Sequence, residues 1–171
     1  MAKKSAGLLM YRIRKRLLEV FLVHPGGPFW VKKDLGSWSI PKGEYTADEN
    51  PLDAARREFR EETGFDADGE FISLRPVRQT GGKEITAWAF EGDLDSAAVR
   101  SNTFSMEWPP KSGKRVEFPE IDRAAWFSLE IARAKILKAQ IALLDELFTI
   151  LNRREPDARK DIDPPPHDND G

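Results

Sequence analysis

The sequence contains no cysteine and only two histidines, His24 and His167, among its 171 residues. Disulfides, thiolate nucleophiles and cysteine-based zinc sites are therefore excluded, and a histidine-rich metal site is not expected. Any bound metal must rely on oxygen ligands, which are the ligands that hard cations such as Mg²⁺ prefer.

Long apolar runs are also missing from the chain. The apolar run near the N-terminus covers only about five residues before Arg12 interrupts it, which is too short for a signal peptide or a membrane-spanning helix. We therefore expect a cytoplasmic protein without a membrane partner. The net charge of −2 is close to zero, so charge indicates neither a nucleic-acid groove nor binding to an anionic membrane.

The length of 171 residues predicts one domain with one sizeable core. Residues 155–171 differ from the rest, with six acidic residues, two basic residues and three consecutive prolines. Such a segment buries too little apolar surface to fold, so we predict a disordered acidic tail after a domain spanning 1–154. The domain itself is mildly basic, and nothing in the sequence indicates its oligomeric state.

A helix is predicted from Pro51 to the glycine at position 64. Proline is tolerated in the first turn of a helix, Asn50 is a plausible N-cap, and Gly64 stands where a C-cap belongs. The residues between them are mostly alanine, leucine, arginine and glutamate, which favour helix. We expect Leu52, Ala55 and Phe59 to form the apolar side of this helix.

Three glutamates, Glu58, Glu61 and Glu62, share another side of the same helix. The pair Glu58 and Glu62 is spaced i,i+4, which costs a few tenths of a kcal/mol in repulsion. A divalent cation beside a phosphate-bearing substrate would relieve that repulsion, whereas a solvated acidic surface would simply tolerate it. Both interpretations stay open on these three residues alone.

The surrounding stretch, residues 43–65, resembles the Nudix box, G-x(5)-E-x(7)-R-E-U-x-E-E-x-G-U, where U is a bulky apolar residue. Fixed spacing over nine specified positions is far more specific than a single glycine motif. All nine positions match, namely Gly43, Glu49, Arg57, Glu58, Phe59, Glu61, Glu62, Gly64 and Phe65. The resemblance favours the metal-binding interpretation of the glutamates.

The same resemblance implies the α/β/α Nudix sandwich, with a mixed β-sheet between helices. Residue patterns along the chain agree with alternating strands and helices. We predict longer strands at 5–14, 17–23, 69–79, 83–94 and 121–127, and helices at 129–135 and 138–153. The apolar side of the last helix is predicted to comprise Ile141, Leu144, Phe148 and Leu151. Residues 95–119 are predicted to be a loop-rich insert near the site, with short strands at 102–108 and 114–118.

For the metal, the resemblance implies that Glu58, Glu61 and Glu62 are ligands of Mg²⁺, with Mn²⁺ as an alternative cation. The backbone carbonyl of Gly43 is implied as a further ligand, since glycine permits a close backbone approach. Arg57 is implied to orient a box glutamate through an ion pair. Glu49 is implied to support the loop or to serve as a weaker outer ligand.

The general base varies within this family and often lies outside the box. Our candidate is Glu120, which stands six residues before Trp126, as a late glutamate does in several Nudix branches. We expect it to serve as base, as metal ligand or as both. Asp122 is the alternative candidate for the base. The other alternative is that Glu120 is an exposed loop carboxylate without a catalytic role.

Substrate contacts are predicted at Trp38, Lys42 and Lys83. Residues 38–43 resemble the W-x-P-P-K-G segment of diadenosine tetraphosphate hydrolases, although Ile40 stands where that branch commonly has proline. Lys83 matches a lysine of the same branch that approaches the phosphate chain. The aromatic residues that could stack on a base are Phe29, Trp30, Phe104 and Trp108.

The predicted function is hydrolysis of a phosphoanhydride bond in a nucleoside or dinucleoside polyphosphate of the diadenosine tetraphosphate type. An alternative is a hydrolase that removes nucleoside triphosphates, including oxidised ones, from the nucleotide pool. Nucleotide sugars, ADP-ribose and capped RNA ends are further candidate substrates. A Nudix-fold sensor that binds a nucleotide without cleaving it is the non-enzymatic alternative, although such proteins typically lose box glutamates that this chain retains.

Overall fold

The computed structural model describes residues 3–154. The tail predicted for 155–171 lies outside the described residues. Residues 3–154 contain nine strands: β1 (Lys4–Arg14), β2 (Leu17–Pro25), β3 (Lys42–Glu44), β4 (Ile72–Ser73), β5 (Val77–Arg78), β6 (Glu84–Glu91), β7 (Thr103–Glu107), β8 (Arg115–Pro119) and β9 (Ile121–Ser128). The helices are α1 (Pro51–Thr63), α2 (Leu129–Lys135) and α3 (Ile141–Arg154), with short 3₁₀ turns at Ser96–Ala98 and Lys138–Gln140. Within the described part of the chain, no helix is long and apolar enough to cross a membrane.

The central sheet has the strand order β4, β6, β1, β2, β9, while β3 pairs with β1 and β5 pairs with β6. Strands β1 and β6 run parallel, and the other pairs run antiparallel, which confirms the mixed sheet. The tight turn from β1 to β2 uses Lys15 and Arg16 at φ 51° and 67°. This left-handed conformation matches the twist of the strands that it joins.

Side chains of β1 alternate between two cores, because neighbouring residues of a strand point to opposite faces. Leu8 and Met10 pack on the face covered by α1, where Phe59 meets the rings of Phe21 and Phe90. Leu9 and Tyr11 pack on the other face, which α2 and α3 cover. The α/β/α layering predicted from the sequence is therefore confirmed.

Two predicted elements differ in detail from the structure. The strand expected at 69–79 is divided into β4 and β5, because Pro76 lacks a backbone N–H and an extra residue bulges opposite β6. The last helix begins at Ile141, and its fully buried residues are Leu143, Leu144, Leu147 and Leu151. Of the predicted apolar side, Leu144 and Leu151 are therefore buried, whereas Ile141 and Phe148 pack against the core but are only partly buried.

The insert at 95–119 contains a β-hairpin made by β7 and β8, in register from Thr103 opposite Pro119. Its base is tied to the C-terminal end of α1: the backbone N–H groups of Arg100 and Asn102 donate to the carbonyls of Thr63 and Glu61 at 3.0 and 2.9 Å. These bonds satisfy helix carbonyls that would otherwise lack a partner. The hairpin then leads directly into β9, so its base lies beside the glutamates of α1.

Candidate functional site

Helix α1 is fixed at both ends by its own sequence. The side chain of Asn50 accepts hydrogen bonds from the backbone N–H groups of Leu52 and Asp53 at 3.0 and 3.2 Å. Gly64 ends the helix in a left-handed conformation at φ 81°. Ala55 and Phe59 are buried against the sheet, whereas the predicted third member of that side, Leu52, is only partly buried. This anchoring fixes the helix that carries Glu58, Glu61 and Glu62.

Arg57 connects the carboxylates of the box. Its Nε and Nη2 atoms donate to the two oxygens of Glu49 at 3.2 Å each, while Nη1 donates to Glu58 at 2.8 Å and to Glu61 at 3.3 Å. A planar guanidinium can make these bonds in two directions at once, which an ammonium cannot. These ion pairs raise the pKa of Arg57 despite its partial burial.

Replacing Arg57 with lysine should therefore lower kcat/KM about tenfold, because groups that orient metal ligands typically contribute 10- to 100-fold. The lysine keeps the charge but cannot hold Glu49 and Glu58 together. Steady-state kinetics against wild type would measure the loss, with Arg56→Lys on the exposed side of the helix as the matched control. An unchanged kcat/KM for Arg57→Lys would show that the fork does not orient the site.

Gly43 lies directly against the carboxylate of Glu58. A β-carbon added at position 43 would overlap the Glu58 carboxylate, so any larger residue there would force Glu58 to move. Strand β3 brings Gly43 there by pairing with β1, opposite Ala6. The loop backbone therefore lies close to a box glutamate, while the binding of a metal by the Gly43 carbonyl stays a prediction.

Glu62 is partly buried next to Lys42, whose backbone N–H donates to Glu62 Oε2 at 3.3 Å. Burial raises the pKa of Glu62 to about 8, and the positive charge of Lys42 opposes that shift only partly. Burial likewise raises the pKa of Glu58 and lowers the pKa of Lys42. The carboxylates of Glu58 and Glu62 therefore lie in surroundings that disfavour their charged form.

Glu120 reaches the same region through the backbone. Its N–H donates to the carbonyl of Asn102 at 2.9 Å, and the N–H of Asn102 donates to the carbonyl of Glu61. The side chain of Glu120 is exposed, and its charge contributes to raising the pKa of Glu62. The fold thus brings the predicted base beside the box, although 58 positions separate Glu120 from Glu62 in the sequence.

A cavity of about 230 Å³ opens between these groups and the segment that follows β2. Lys42, Glu62 and Glu120 provide its charged wall, and Trp30 lies on its aromatic side. The remaining lining residues are Val23, Pro25, Ser37, Ser39, Ile40, Ile121 and Leu137. A few charged groups opposite an aromatic ring are typical of sites that orient a small polar ligand.

One supporting residue was not predicted. Gln140 is fully buried, and its Oε1 accepts a hydrogen bond from the backbone N–H of Ile40 at 3.0 Å. Its Nε2 donates to Ser39 Oγ at 3.0 Å. Gln140 therefore fixes the segment that leads into Gly43. Its position inside the helix predicted at 138–153 gives no signal of this contact, which joins residues 100 positions apart.

Two of the predicted substrate contacts are placed away from the cavity wall. Trp38 is 4% exposed, donates from Nε1 to Asp34 at 2.8 Å, and packs against the rings of His24 and Phe127. Its ring belongs to the core, so we no longer assign it a substrate contact. The ammonium group of Lys83 pairs with Glu44 at 3.2 Å. Of the three predicted contacts, Lys42 is the one that lines the cavity.

The donor chemistry of the site fits a hard divalent cation, since all candidate ligands are oxygens and a cation would favour the charged form of the partly buried Glu58 and Glu62. Within residues 3–154, no three acidic or histidine side chains are gathered tightly around one point. Arg57 instead holds Glu58 and Glu61, while Glu62 faces Lys42. The residues that would hold the cation are thus Glu58, Glu61 and Glu62, with the carbonyl of Gly43 and Glu120 nearby.

Comparison with known proteins gives consistent results. An RNA pyrophosphohydrolase from Bartonella tribocorum is 29% identical over an alignment of 110 residues that covers 54% of this chain. The chain matches only 57% of the length of that curated relative. Among solved structures, a Caenorhabditis elegans Ap4A hydrolase in a binary complex is similar at a TM-score of 0.61 and 22% identity, covering 88% of this chain and 98% of that one.

The NUDIX domain of Shewanella oneidensis NrtR, in complex with ADP ribose, is similar at a TM-score of 0.63 and 15% identity, covering 88% of this chain and 89% of that one. At these identities the two structures support the fold. The NUDIX domain profile matches residues 1–147, which is most of the chain. Together with the intact box on α1, this match shows that the chain belongs to the Nudix family.

Proposed function

We propose that this protein is a Mg²⁺-dependent pyrophosphohydrolase that cleaves a phosphoanhydride bond in a nucleoside or dinucleoside polyphosphate. The observation that carries the proposal is the cavity that Glu62 of the box, Glu120 and Trp30 line together. Polyphosphate and nucleoside are the two parts of such a substrate, and they would occupy the charged and the aromatic side respectively. Family members generally use divalent metal ions, and Mg²⁺ suits oxygen ligands best, with Mn²⁺ as the alternative.

In the proposed reaction, water attacks one phosphorus of the anhydride, and the bridging P–O bond breaks. A bound divalent cation would neutralise part of the negative charge of the phosphates. Glu120 accepts the proton that the attacking water loses. The other phosphate fragment leaves with the bridging oxygen, which carries the negative charge. Arg57 keeps Glu58 and Glu61 oriented, while Lys42 provides a positive charge close to the phosphate chain.

The identity of the substrate is proposed on narrower grounds. The resemblance of 38–43 to diadenosine tetraphosphate hydrolases favours a dinucleoside polyphosphate, and the fold neighbour named Ap4A hydrolase agrees with it. The curated relative named RNA pyrophosphohydrolase favours a triphosphorylated RNA end as the second candidate. Cytoplasmic location and the absence of a nucleic-acid partner stay predictions of the sequence, and the second candidate would overturn the latter.

The proposal is tested by incubating the full chain with Mg²⁺ and a substrate panel, followed by chromatography of the products. The panel contains diadenosine tetraphosphate, ATP, 8-oxo-dGTP, ADP-ribose, a nucleotide sugar and a 5′-triphosphorylated RNA oligonucleotide. We expect cleavage of at least one nucleoside polyphosphate, and we expect EDTA to abolish it. Binding of a panel member without any cleavage in Mg²⁺ or Mn²⁺ would instead support the sensor alternative.

A further inference from the structure

His24, at the end of β2, is fully buried, and both of its ring nitrogens make close polar contacts. Nδ1 donates to the carboxylate of Asp122 at 2.7 Å. Nε2 donates to the carbonyl oxygen of Lys33 at 2.6 Å, since a carbonyl oxygen can only accept, and Nη2 of Arg123 lies 3.0 Å from the same nitrogen without a bond between the two donors. A buried imidazole that donates from both ring nitrogens holds its two acceptors in a defined arrangement, because each unmade bond would leave a buried polar group unsatisfied.

The two main partners of His24 lie in the two segments that bring Trp30 and Glu120 to the cavity. Lys33 lies in the segment 26–36, which carries Trp30, and its ammonium group lies 4.7 Å from the centre of the Trp30 ring. Asp122 lies in β9, two positions after Glu120. One imidazole therefore connects the segment that presents the aromatic side to the strand that follows the proposed base.

The segment 26–36 has little apolar burial of its own to fix it. Phe29, Val31 and Leu35 are 59%, 58% and 72% exposed. Its ends are held by backbone bonds, from Gly26 N–H to the Glu120 carbonyl at 2.9 Å and from Gly36 N–H to the Ala134 carbonyl at 3.1 Å. Between these ends, polar contacts must supply the order that apolar packing does not.

In the middle of the segment, the Lys33 carbonyl contacts both His24 and Arg123. Arg123 donates to the Lys33 carbonyl at 3.4 Å, which is a weaker contact than that of His24 at 2.6 Å. Further along, Asp34 receives hydrogen bonds from Trp38 and Lys135. On the hairpin side, the rings of Phe29 and Trp108 meet edge to face at 5.5 Å. Lys33 thus lies between Trp30 and the end of the segment that is anchored through Asp34 and Gly36.

We propose that His24 is a positioning residue that sets Trp30 relative to Glu120 by bonding the Lys33 carbonyl and the Asp122 carboxylate at once. The inference rests on the proposed function for the identity of the ligand, a nucleoside polyphosphate. The bond to Lys33 orders the aromatic side, which affects substrate binding. The bond to Asp122 orders the start of β9, which affects the chemical step.

Two substitutions separate these effects. In His24→Asn the side-chain amide reaches the place of Nδ1, so it keeps Asp122 and loses Lys33. In His24→Gln the longer amide reaches the place of Nε2, so it keeps Lys33 and loses Asp122. We expect His24→Asn to raise KM about tenfold, with kcat within about twofold of wild type. We expect His24→Gln to lower kcat about tenfold, with a smaller change in KM. Effects of this size are typical of one lost buried hydrogen bond.

Leu151→Ala, in the core beneath α3 and away from the cavity, is the control for lost stability. It should lower the melting temperature without changing KM or kcat at a temperature where it remains folded. If both His24 variants behave like Leu151→Ala, or if both shift KM and kcat by equal factors, the proposal is overturned.

A binding measurement keeps this test separate from that of the proposed function. Calorimetry with a methylene-bridged, non-hydrolysable ATP analogue and Mg²⁺ reports affinity even if the wild-type protein cleaves nothing in the panel. An affinity about tenfold weaker for His24→Asn, with His24→Gln near wild type, would support the positioning role without turnover. Equal affinities for wild type and both variants would contradict it, whatever the panel shows.

Discussion

Replacing Glu62 with glutamine is expected to lower kcat by at least about 100-fold while leaving the fold intact. Glu62 combines partial burial, a backbone contact to Lys42 and a place on the cavity wall. Removing one strong electrostatic contributor from such a site typically costs 10²- to 10³-fold. Steady-state kinetics in Mg²⁺, together with circular dichroism, would measure both parts of this expectation.

The same substitution should stabilise the metal-free protein in a pH-dependent manner. The pKa of Glu62 is raised to about 8 in the folded chain, whereas an unfolded glutamate titrates near about 4.3. The folded state therefore retains a proton that the unfolded state releases, and wild-type stability falls as pH rises between these two values. Glutamine does not titrate, so the melting temperature of Glu62→Gln minus that of wild type should increase as pH rises between these two pKa values.

Added Mg²⁺ should reverse that order, because a cation that binds only the folded wild type stabilises it by mass action. Glu117→Gln, an exposed substitution on β8, serves as the control that should change neither activity nor melting temperature. Full activity of Glu62→Gln would contradict its role as a ligand. A melting temperature of the metal-free variant below that of wild type at pH 8 would contradict the electrostatic explanation.

Gly43→Ala is expected to lower kcat/KM about 100-fold, although it adds only one methyl group. The added β-carbon would overlap the Glu58 carboxylate, which must then leave its place beside Gly43 and Arg57. Displacing a metal ligand or its support costs about 10- to 100-fold. Titration of Mg²⁺ against activity should show a raised half-saturating concentration.

A double-mutant cycle separates this cause from a general disturbance of the loop. If the methyl group acts through Glu58, Gly43→Ala should cost much less in a Glu58→Gln background than in wild type. Additive losses would mean that the substitution acts elsewhere, for instance by distorting the pairing of β3 with β1. The melting temperature of each variant would show whether that pairing is intact.

The sequence by itself determined helix α1 and the three glutamates on it. Asn50, Pro51 and Gly64 act within a few residues of themselves, so the caps and the helix between them follow from local rules. The spacing of Glu58, Glu61 and Glu62 then places their carboxylates on one part of the surface. For the same local reason, the two-residue turn between β1 and β2 and the helix after Ser128 were predictable.

Only the tertiary structure decided which distant residues complete the site. The sequence favoured Trp38 for the substrate, yet packing places its ring in the core, while Trp30 lines the cavity. His24 and Gln140 gave no local signal, because their contacts span about 100 positions and exist only once strands and helices pack together. Helix caps depend on neighbours in the chain, whereas the cavity depends on how the segment 26–36, β9 and α1 meet. That meeting is set by burial across the whole domain, which no short stretch of sequence encodes.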